Sequence, residues 1–309
     1  MSKESPIVYT KKREALSRHF SRAAASYDEA AVLQRAVAAH LDERLDLVKL
    51  QPQRVLDVGA GTGILTEKIY ARYPNAQVVA VDLSLSMLQR ARQKLMHQGR
   101  WLQRLRGECP VMLVAADAYQ LPFGDASFDL IVSNLMLQWC DDLDGVLTEL
   151  RRLLRPEGLL LFTSFGPDTL KELRAAWAQV DGREHVNTFI DMHDVGDALI
   201  RAGFGQPVMD VEYFTLTYPS PMGVLQDLKA IGATFAPQDG RGLTPPGRLR
   251  AMLAAYEAFR QADGRVPATY EVVHGHAWAA PEVFKGPERK RNGVYEMTLD
   301  EFTHQVRKS

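Results

Sequence analysis

Between residues 54 and 165 the apolar positions fall in short, nearly unbroken runs: RVLDV, VVAVD, MLVA, FDLIVS and LLLFTSF. Runs with so little polar alternation are what a parallel sheet covered on both faces requires. They predict strands at 54–58, 77–82, 111–115, 128–133 and 158–164. Between and after them lie helices near 64–72, 84–98, 143–154 and 167–179, with Arg155-Pro156-Glu157-Gly158 as a turn stopping one helix and starting a strand. Strand–helix alternation through short links predicts an α/β fold with a doubly wound, mostly parallel sheet. Upstream, helices are expected near 10–24 and 28–47. The second has Val32, Ala36, Ala39 and Leu45 at roughly helical spacing, with Ser26 or Asp28 as its cap. Downstream the alternation weakens. A helix near 191–202 ends at Gly203, and a strand follows near 208–217. Residues 220–265 look helical, with Leu249, Met252, Leu253, Tyr256 and Phe259 as one stripe, before a last strand at 268–277. The expectation is therefore seven strands, with a helical cap over 1–50 and an α/β core over 51–218. A helical insertion over 219–266, placed where a substrate lid would sit, precedes the last core strand at 267–280. A mobile tail over 281–309 completes the chain.

The strongest local signal is Asp57-Val58-Gly59-Ala60-Gly61-Thr62-Gly63, at the junction of the first strand and its helix. Glycines there let the backbone approach a ligand where a Cβ would collide. Asp82, nineteen residues past Gly63, ends the second strand, where a carboxylate can bond ribose hydroxyls. The spacing departs from Gly-x-Gly-x-x-Gly, the loop that sets a helix N-terminus against a pyrophosphate. Two carboxylates at one turn suit a ligand with positive charge instead. Asp117 follows the third strand and Ser133-Asn134 the fourth, all at the strand ends where open α/β sheets bind ligands.

Composition narrows the class further. The 309 residues are 46% hydrophobic and 24% charged, as in an ordinary globular protein, and the formal net charge of −1 carries no global signature of a nucleic-acid or membrane partner. The charge is uneven, however. Between Leu85 and Cys109, Arg90, Arg92, Lys94, Arg100, Arg104 and Arg106 face Glu108 alone, as a solvated helix face or a dock for an acidic partner. Cys109 and Cys140 alone form no disulfide framework or metal-ligand spacing, and a cytoplasmic setting is expected. No apolar run is long enough for a membrane helix. The N-terminal Lys11, Lys12 and Arg13 have no apolar core behind them, so no secretory signal is expected.

The Asp-x-Gly-x-Gly-Thr-Gly run resembles the first motif of class I, Rossmann-like S-adenosylmethionine methyltransferases, whose ligand carries an ammonium and a sulfonium. The resemblance implies S-adenosylmethionine as cofactor. Asp57, Gly59, Ala60, Gly61 and Gly63 would face its methionine part, Asp82 and Leu83 its ribose, and Asp117 and Ala118 its adenine, while Ser133 and Asn134 border the transferred methyl. HFSRAAASYDEAA, LMLQWCDDL, TSFGPDTLKELRAAW, DLKAIGA and ATYEVVHGHA follow in order over residues 19–278. Together they resemble the malonyl-acyl-carrier-protein O-methyltransferases of biotin synthesis. This implies carboxyl O-methylation of a malonyl thioester, on carrier protein or coenzyme A, giving an ester that enters fatty-acid-type elongation. A carboxylate nucleophile is already ionised at neutral pH and needs no strong base.

In that resemblance Tyr27 matches an active-site tyrosine, though a packing aromatic reads the same way. Gln138 borders the site, and Trp139 either shields the methyl or packs. Arg174, whose fork matches a carboxylate bidentately, is the expected anchor for the malonyl group, with Lys229 second. His274 and His276 share a strand face, but with no third ligand evident no metal is expected. The acyl carrier protein is acidic, and a basic rim would speed its encounter. The 85–109 segment is one rim; Arg241, Arg248, Arg250, Arg260 and Arg265, against Glu257 and Asp263, form another. Three other readings stay open. The cofactor half and the Thr-Leu-x-Glu-Leu-Arg run are also similar to respiratory complex I assembly factors acting on a protein arginine. A quinone or small-molecule methyltransferase, and a cofactor-holding scaffold without turnover, are the others. Oligomeric state stays open as well.

Overall fold

A computed structural model describes residues 6–99, 107–233 and 244–280, with backbone alone over 6–12. The apolar runs become β1 (Arg54–Val58), β2 (Gln77–Asp82), β3 (Met112–Ala115), β4 (Phe128–Ser133) and β5 (Leu154–Phe165). These five pair in parallel, and β5 then pairs antiparallel with β7 (Val266–Ala279), which pairs antiparallel with β6 (Phe204–Tyr218). The order across the seven-stranded sheet is β3-β2-β1-β4-β5-β7-β6. Reversal of order between β1 and β4 opens a crevice at the strands' carboxyl ends. Both faces are covered. Leu56, Val79, Ile131 and Leu160 belong to one apolar cluster, and Val55, Ala80, Leu130 and Leu161 to another, all 2% exposed or less. That alternation explains why the strands read as continuous apolar runs.

Helices α1 (Pro6–Ala23), α2 (Tyr27–Ala30) and α3 (Val32–Arg44) precede β1. The helix expected over 28–47 thus breaks at Ala31 (φ −75°, ψ 46°) and ends in a 3-10 turn over Leu45–Leu47. Neither expected cap forms. Ser26 turns its hydroxyl to the carbonyls of Ala23 and Ala230, and the Asp28 carboxylate accepts from Thr62 and Lys94. Next in order come α4 (Ile64–Arg72), α5 (Leu85–Leu95), α6 (Leu143–Leu153), α7 (Lys171–Ala178) and α8 (Met192–Arg201). Ser84, Asp142 and Asp191 cap α5, α6 and α8 through side-chain oxygens. The helix expected from 167 starts only at Lys171, because Leu170 is left-handed at φ 58°.

The turn expected at 155–158 lies inside β5. Pairing jumps from Phe128↔Leu154 to Leu130↔Leu159, so Arg155 to Gly158 bulge out of a strand that begins at Leu154, not Gly158. Helices α9 (Pro221–Ala230) and α10 (Pro246–Tyr256) lie between β6 and β7. Met252 and Tyr256 are fully buried among Leu135, Phe165, Tyr270 and Tyr27, so the insertion packs on the N-terminal helices as well as the sheet. At the antiparallel edge, α3 is tied to β6: Arg44 reaches Asp210 through two 2.7 Å bonds and His40 meets Glu212 at 2.9 Å. No described helix is long and apolar enough to cross a membrane. Residues 1–279 form one compact unit; the second, 280–309, which includes the expected mobile tail, lies outside the described residues save Ala280. Arg100, Arg104, Arg106 and Arg241 also lie outside them.

Candidate active site

Strand β1 delivers Asp57 and then turns sharply. Gly59 has φ +75°, and a Cβ there would stand 2.3 Å from Met136 Cγ, so only glycine fits. Gly61, at φ +56°, has nothing within 4 Å of where a Cβ would be and lines an open cleft. The turn is fixed from β2: the amides of Gly59 and Ala60 donate to Val81 O at 2.8 and 2.9 Å, and Gly61 N donates to Asp82 Oδ2 at 2.8 Å. Asp82 Oδ1 accepts from Ser84 N at 2.7 Å. Burial raises the Asp82 pKa, and these two amides oppose the rise. Gly63 turns its missing Cβ toward Ala91 of α5 instead, so its work is helix packing.

The cleft has two chambers. The smaller holds about 290 Å³ of open space beside Tyr27, Gln34, Asp57, Ala60, Gly61 and Asn134. Asp57 is 1% exposed; its Oδ2 accepts the Thr66 hydroxyl at 2.5 Å, while Oδ1 is buried with no hydrogen-bond partner among the described residues. Burial pushes its carboxyl up to about 7, against the lowering effect of Thr66 and with a smaller push from Asp82. The larger chamber, about 630 Å³, is lined by Leu83, Asp117, Ala118, Met136 and Trp139, and closed over by Arg13 and Phe20 of α1. Arg13 pairs with Asp117 and lies 4.1 Å from the Tyr119 ring centroid. Phe20 meets Trp139 edge to face at 5.4 Å, which places Trp139 in this chamber rather than over the smaller one.

The other expected residues divide. Tyr27 lines the smaller chamber, its hydroxyl bonds nothing among the described residues, and burial, then Asp82 and Asp28, raise its pKa, so it stays a phenol. Asn134 lines the same chamber, donating to Gln34 O at 3.2 Å and accepting from Thr163 at 2.9 Å. Ser133 is fully buried and donates to Val58 O, joining two strand ends outside both chambers. Gln138 lines neither chamber: its Nε2 folds back to Leu135 O at 2.6 Å, and its Oε1 is buried without a partner among the described residues. Arg174 donates to the carbonyls of Pro167 and Thr169 at 2.9 and 3.0 Å, holding the Gly166–Leu170 loop, and Lys229 is exposed. Among the described residues no group of three acids, histidines or cysteines could hold a metal; His274 is 1% exposed, with Nε2 3.3 Å from Glu212.

These acceptors fit the cofactor that the first motif suggests. An ammonium would meet Asp57 Oδ1, ribose hydroxyls the free lone pairs of Asp82, and an adenine amino group Asp117 in the larger chamber. Comparison with known proteins agrees. A methyltransferase-domain family model matches residues 56–162. The phosphoethanolamine N-methyltransferase 2 of Haemonchus contortus, solved with S-adenosylhomocysteine, shares the fold: TM-score 0.52, 18% identity, 88% of this chain and 60% of that one. A malonyl-[acyl-carrier protein] O-methyltransferase of Laribacter hongkongensis is 55% identical over 84% of this chain and 86% of its own. One of Methylovorus sp. is 52% identical over 88% and 90%. The chain belongs to the malonyl-[acyl-carrier protein] O-methyltransferase family.

Within this family member, several residues that matter at the site gave no signal in sequence. Arg13 and Phe20 come from a helix with no motif around them that points to adenosine. Gln34 reads as one polar position on a helix. Lys94 sits in the basic segment read as a surface patch, yet its ammonium bonds Asp28 Oδ1 at 3.1 Å and Thr62 Oγ1 at 3.2 Å, while Thr62 donates to the same Asp28 oxygen at 2.5 Å. That three-way bridge joins α5, the glycine turn and the residue next to Tyr27.

Proposed function

We propose that this chain transfers a methyl group from S-adenosylmethionine to the free carboxylate of malonyl-[acyl-carrier protein]. The observation that carries the reading is identity above 50% across most of both chains with relatives of that name. An overlap of 272 residues must include the DLKAIGA run at 227–233, where this reading parts from the arginine and quinone alternatives, while turnover separates it from the scaffold. The bound cofactor supplies the electrophilic methyl. Asp57 and Asp82 hold and orient its cationic and ribose ends, and Arg13 and Phe20 close α1 over the adenosine chamber and exclude water.

Tyr27, kept as a phenol beside the smaller chamber, donates to the malonyl carboxylate and holds one oxygen in line with the methyl. A neutral donor leaves that oxygen more nucleophilic than a cation would. Gln138, which folds back on the main chain after β4, supports the wall beside it. Arg174 shapes the Gly166–Leu170 loop through its two carbonyl bonds and offers its remaining N–H groups to the substrate. On the carrier side, Arg90, Arg92 and Arg250 are exposed, whereas Lys94 is drawn into the Asp28 bridge and Arg248 lies 3.3 Å from Asp181. Arg90 and Arg92 on α5 are one docking rim for an acidic carrier and Arg250 on α10 belongs to the other, and a carrier engages one of the two. Cys109 and Cys140 are both free, in keeping with work in a reducing cytoplasm.

The test is methyl transfer from labelled S-adenosylmethionine to malonyl-carrier protein, beside malonyl-coenzyme A and acetyl-carrier protein. Label on the malonyl compounds alone, as a base-labile ester, is expected. No label, with cofactor binding intact by calorimetry, overturns the reading.

A further inference from the structure

The smaller chamber offers an acceptor for an ammonium in Asp57 Oδ1, but an amino-acid end also brings a carboxylate, which needs N–H or O–H donors. Most polar side chains there are already engaged. The Thr62 hydroxyl donates to Asp28. The Asn134 amide gives one N–H to Gln34 O and accepts from Thr163, which holds it in place. Lys94, which reaches the turn through Thr62, is held by Asp28. Gln34 differs. It is 8% exposed and lines the chamber, and its side-chain amide makes no hydrogen bond among the described residues. Unlike Asp57 Oδ1, neither amide atom is sealed from the cleft, so the amide is open to a ligand in the chamber. Its position is also fixed, because Asn134 Nδ2 ties the Gln34 carbonyl, and with it the first turn of α3, to the end of β4.

We infer that Gln34 is a cofactor-binding residue, its side-chain Nε2 donating to the α-carboxylate of the methionine moiety while Asp57 takes the ammonium. The assignment rests on the reading of S-adenosylmethionine as cofactor. An amide suits the place better than a lysine or arginine, since a full positive charge beside the sulfonium would repel it. The Tyr27 hydroxyl, also uncommitted, serves the substrate carboxylate.

S-adenosylmethionine and its decarboxylated analogue differ only in the group that Gln34 is assigned to hold, so calorimetric titration of both against the same protein isolates the contact. Gln34→Ala is expected to weaken S-adenosylmethionine by about tenfold and to leave the analogue within about twofold. Gln34→Glu, which keeps the side-chain shape and covers the case in which the alanine variant does not fold, should weaken S-adenosylmethionine further and not weaken the analogue. Equal losses for both compounds overturn the inference. So does unchanged S-adenosylmethionine binding with a raised KM for the malonyl substrate, which would move the amide to the acceptor. If the wild-type protein binds neither compound, the cofactor reading itself fails and takes this assignment with it.

Discussion

At the carboxyl ends of β1 and β2, Asp57 and Asp82 are buried or nearly so, and no lysine or arginine pairs with either among the described residues. At the antiparallel edge, Asp210 and Glu212 of β6 face Arg44 and His40 of α3 directly. Both regions are acidic residues at a sheet under N-terminal helices. In the edge region each carboxylate has a cationic or ionisable partner, and the result is a seat for α3. At the ends of β1 and β2 the partners of Asp57 and Asp82 are neutral hydroxyls and amides, and one oxygen of Asp57 has none among the described residues. Residue type does not separate the two regions. What separates them is the bonding capacity left over: a paired acid holds the fold, and an incompletely satisfied one awaits a ligand.

The largest expected effect follows from that orphan oxygen. Asp57→Asn should raise the cofactor Kd by about 100-fold, since it removes a charge-assisted bond to the ammonium. It should not destabilise the ligand-free protein. Burial holds the Asp57 carboxyl at about 7 against an ordinary 3.8, so the native state keeps a proton that the unfolded chain releases. Stability from this group is full below pH 3.8 and lost as pH rises through about 7, by about 4 kcal/mol in total. The asparagine variant cannot ionise and should flatten that slope in urea unfolding across the same range. For the same reason, wild-type cofactor affinity should climb as pH rises through 7. A variant that loses stability but binds normally would make Asp57 a structural acid like Asp210, and the contrast would be broken.

The edge region should show the opposite slope. Burial, then the Arg44 charge, lowers the His274 pKa to about 4, with Asp210 and Glu212 pulling the other way. The native state therefore lacks a proton that the unfolded chain takes up near 6.5. Stability is full above pH 6.5 and lost as pH falls toward 4, by up to about 3 kcal/mol. His274→Asn should remove this acid-side loss and leave cofactor affinity within about twofold. Denaturation at several pH values, with calorimetry beside it, reads both. A fall in cofactor affinity would mean that the edge and the cleft are coupled.

Legibility in the sequence followed the same division. Asp57, the glycine turn and Asp82 could be read because parallel strands bring their carboxyl ends together, so a motif at each strand end maps onto one crevice. Arg13 and Phe20 could not, since a helix distant in sequence reaches the chamber only through tertiary packing. The break at Ala31 falls on a good helix former that gives no local warning. Arg155-Pro156-Glu157-Gly158 has the chemistry of a turn whether it ends a helix or loops out of a strand, and only pairing with β4 decides. Trp139 reads equally as a shield for the methyl or as a packing aromatic until Phe20 is seen against it. Charge runs were the least legible: Lys94 belongs to a basic segment in sequence but to an acid–hydroxyl bridge in space.

That bridge sharpens the comparison, because it is an edge-like ion pair placed inside the cleft. Lys94→Met leaves Asp28 without its cation and should loosen Thr62 and the neighbouring Tyr27. Partial exposure limits the pair to about 1 kcal/mol, so a several-fold rise in KM for the cofactor is expected, with Lys94→Arg restoring most of it. Kinetics with cofactor varied, beside thermal melting, would show it. Unchanged kinetics would class the bridge with the surface pairs.

Arg44→Ala should do least. Its two bonds to Asp210 are well formed at 2.7 Å, but the side chains are 31% and 48% exposed, and water and salt screen such pairs. A loss of about 0.5 kcal/mol is expected, a Tm shift on the order of 1–2 °C, reduced further in high salt and with no change in cofactor Kd. The outcome has wider reach than its size suggests, since α3 carries both Arg44 at its end and Gln34 near its start. If the pair only seats the helix, many other contacts hold Gln34 in place and the cleft will not register its loss. A cofactor Kd that rises with Arg44→Ala would instead mean that the seat of α3 on β6 sets the position of Gln34. The paired acids would then belong to the binding site after all.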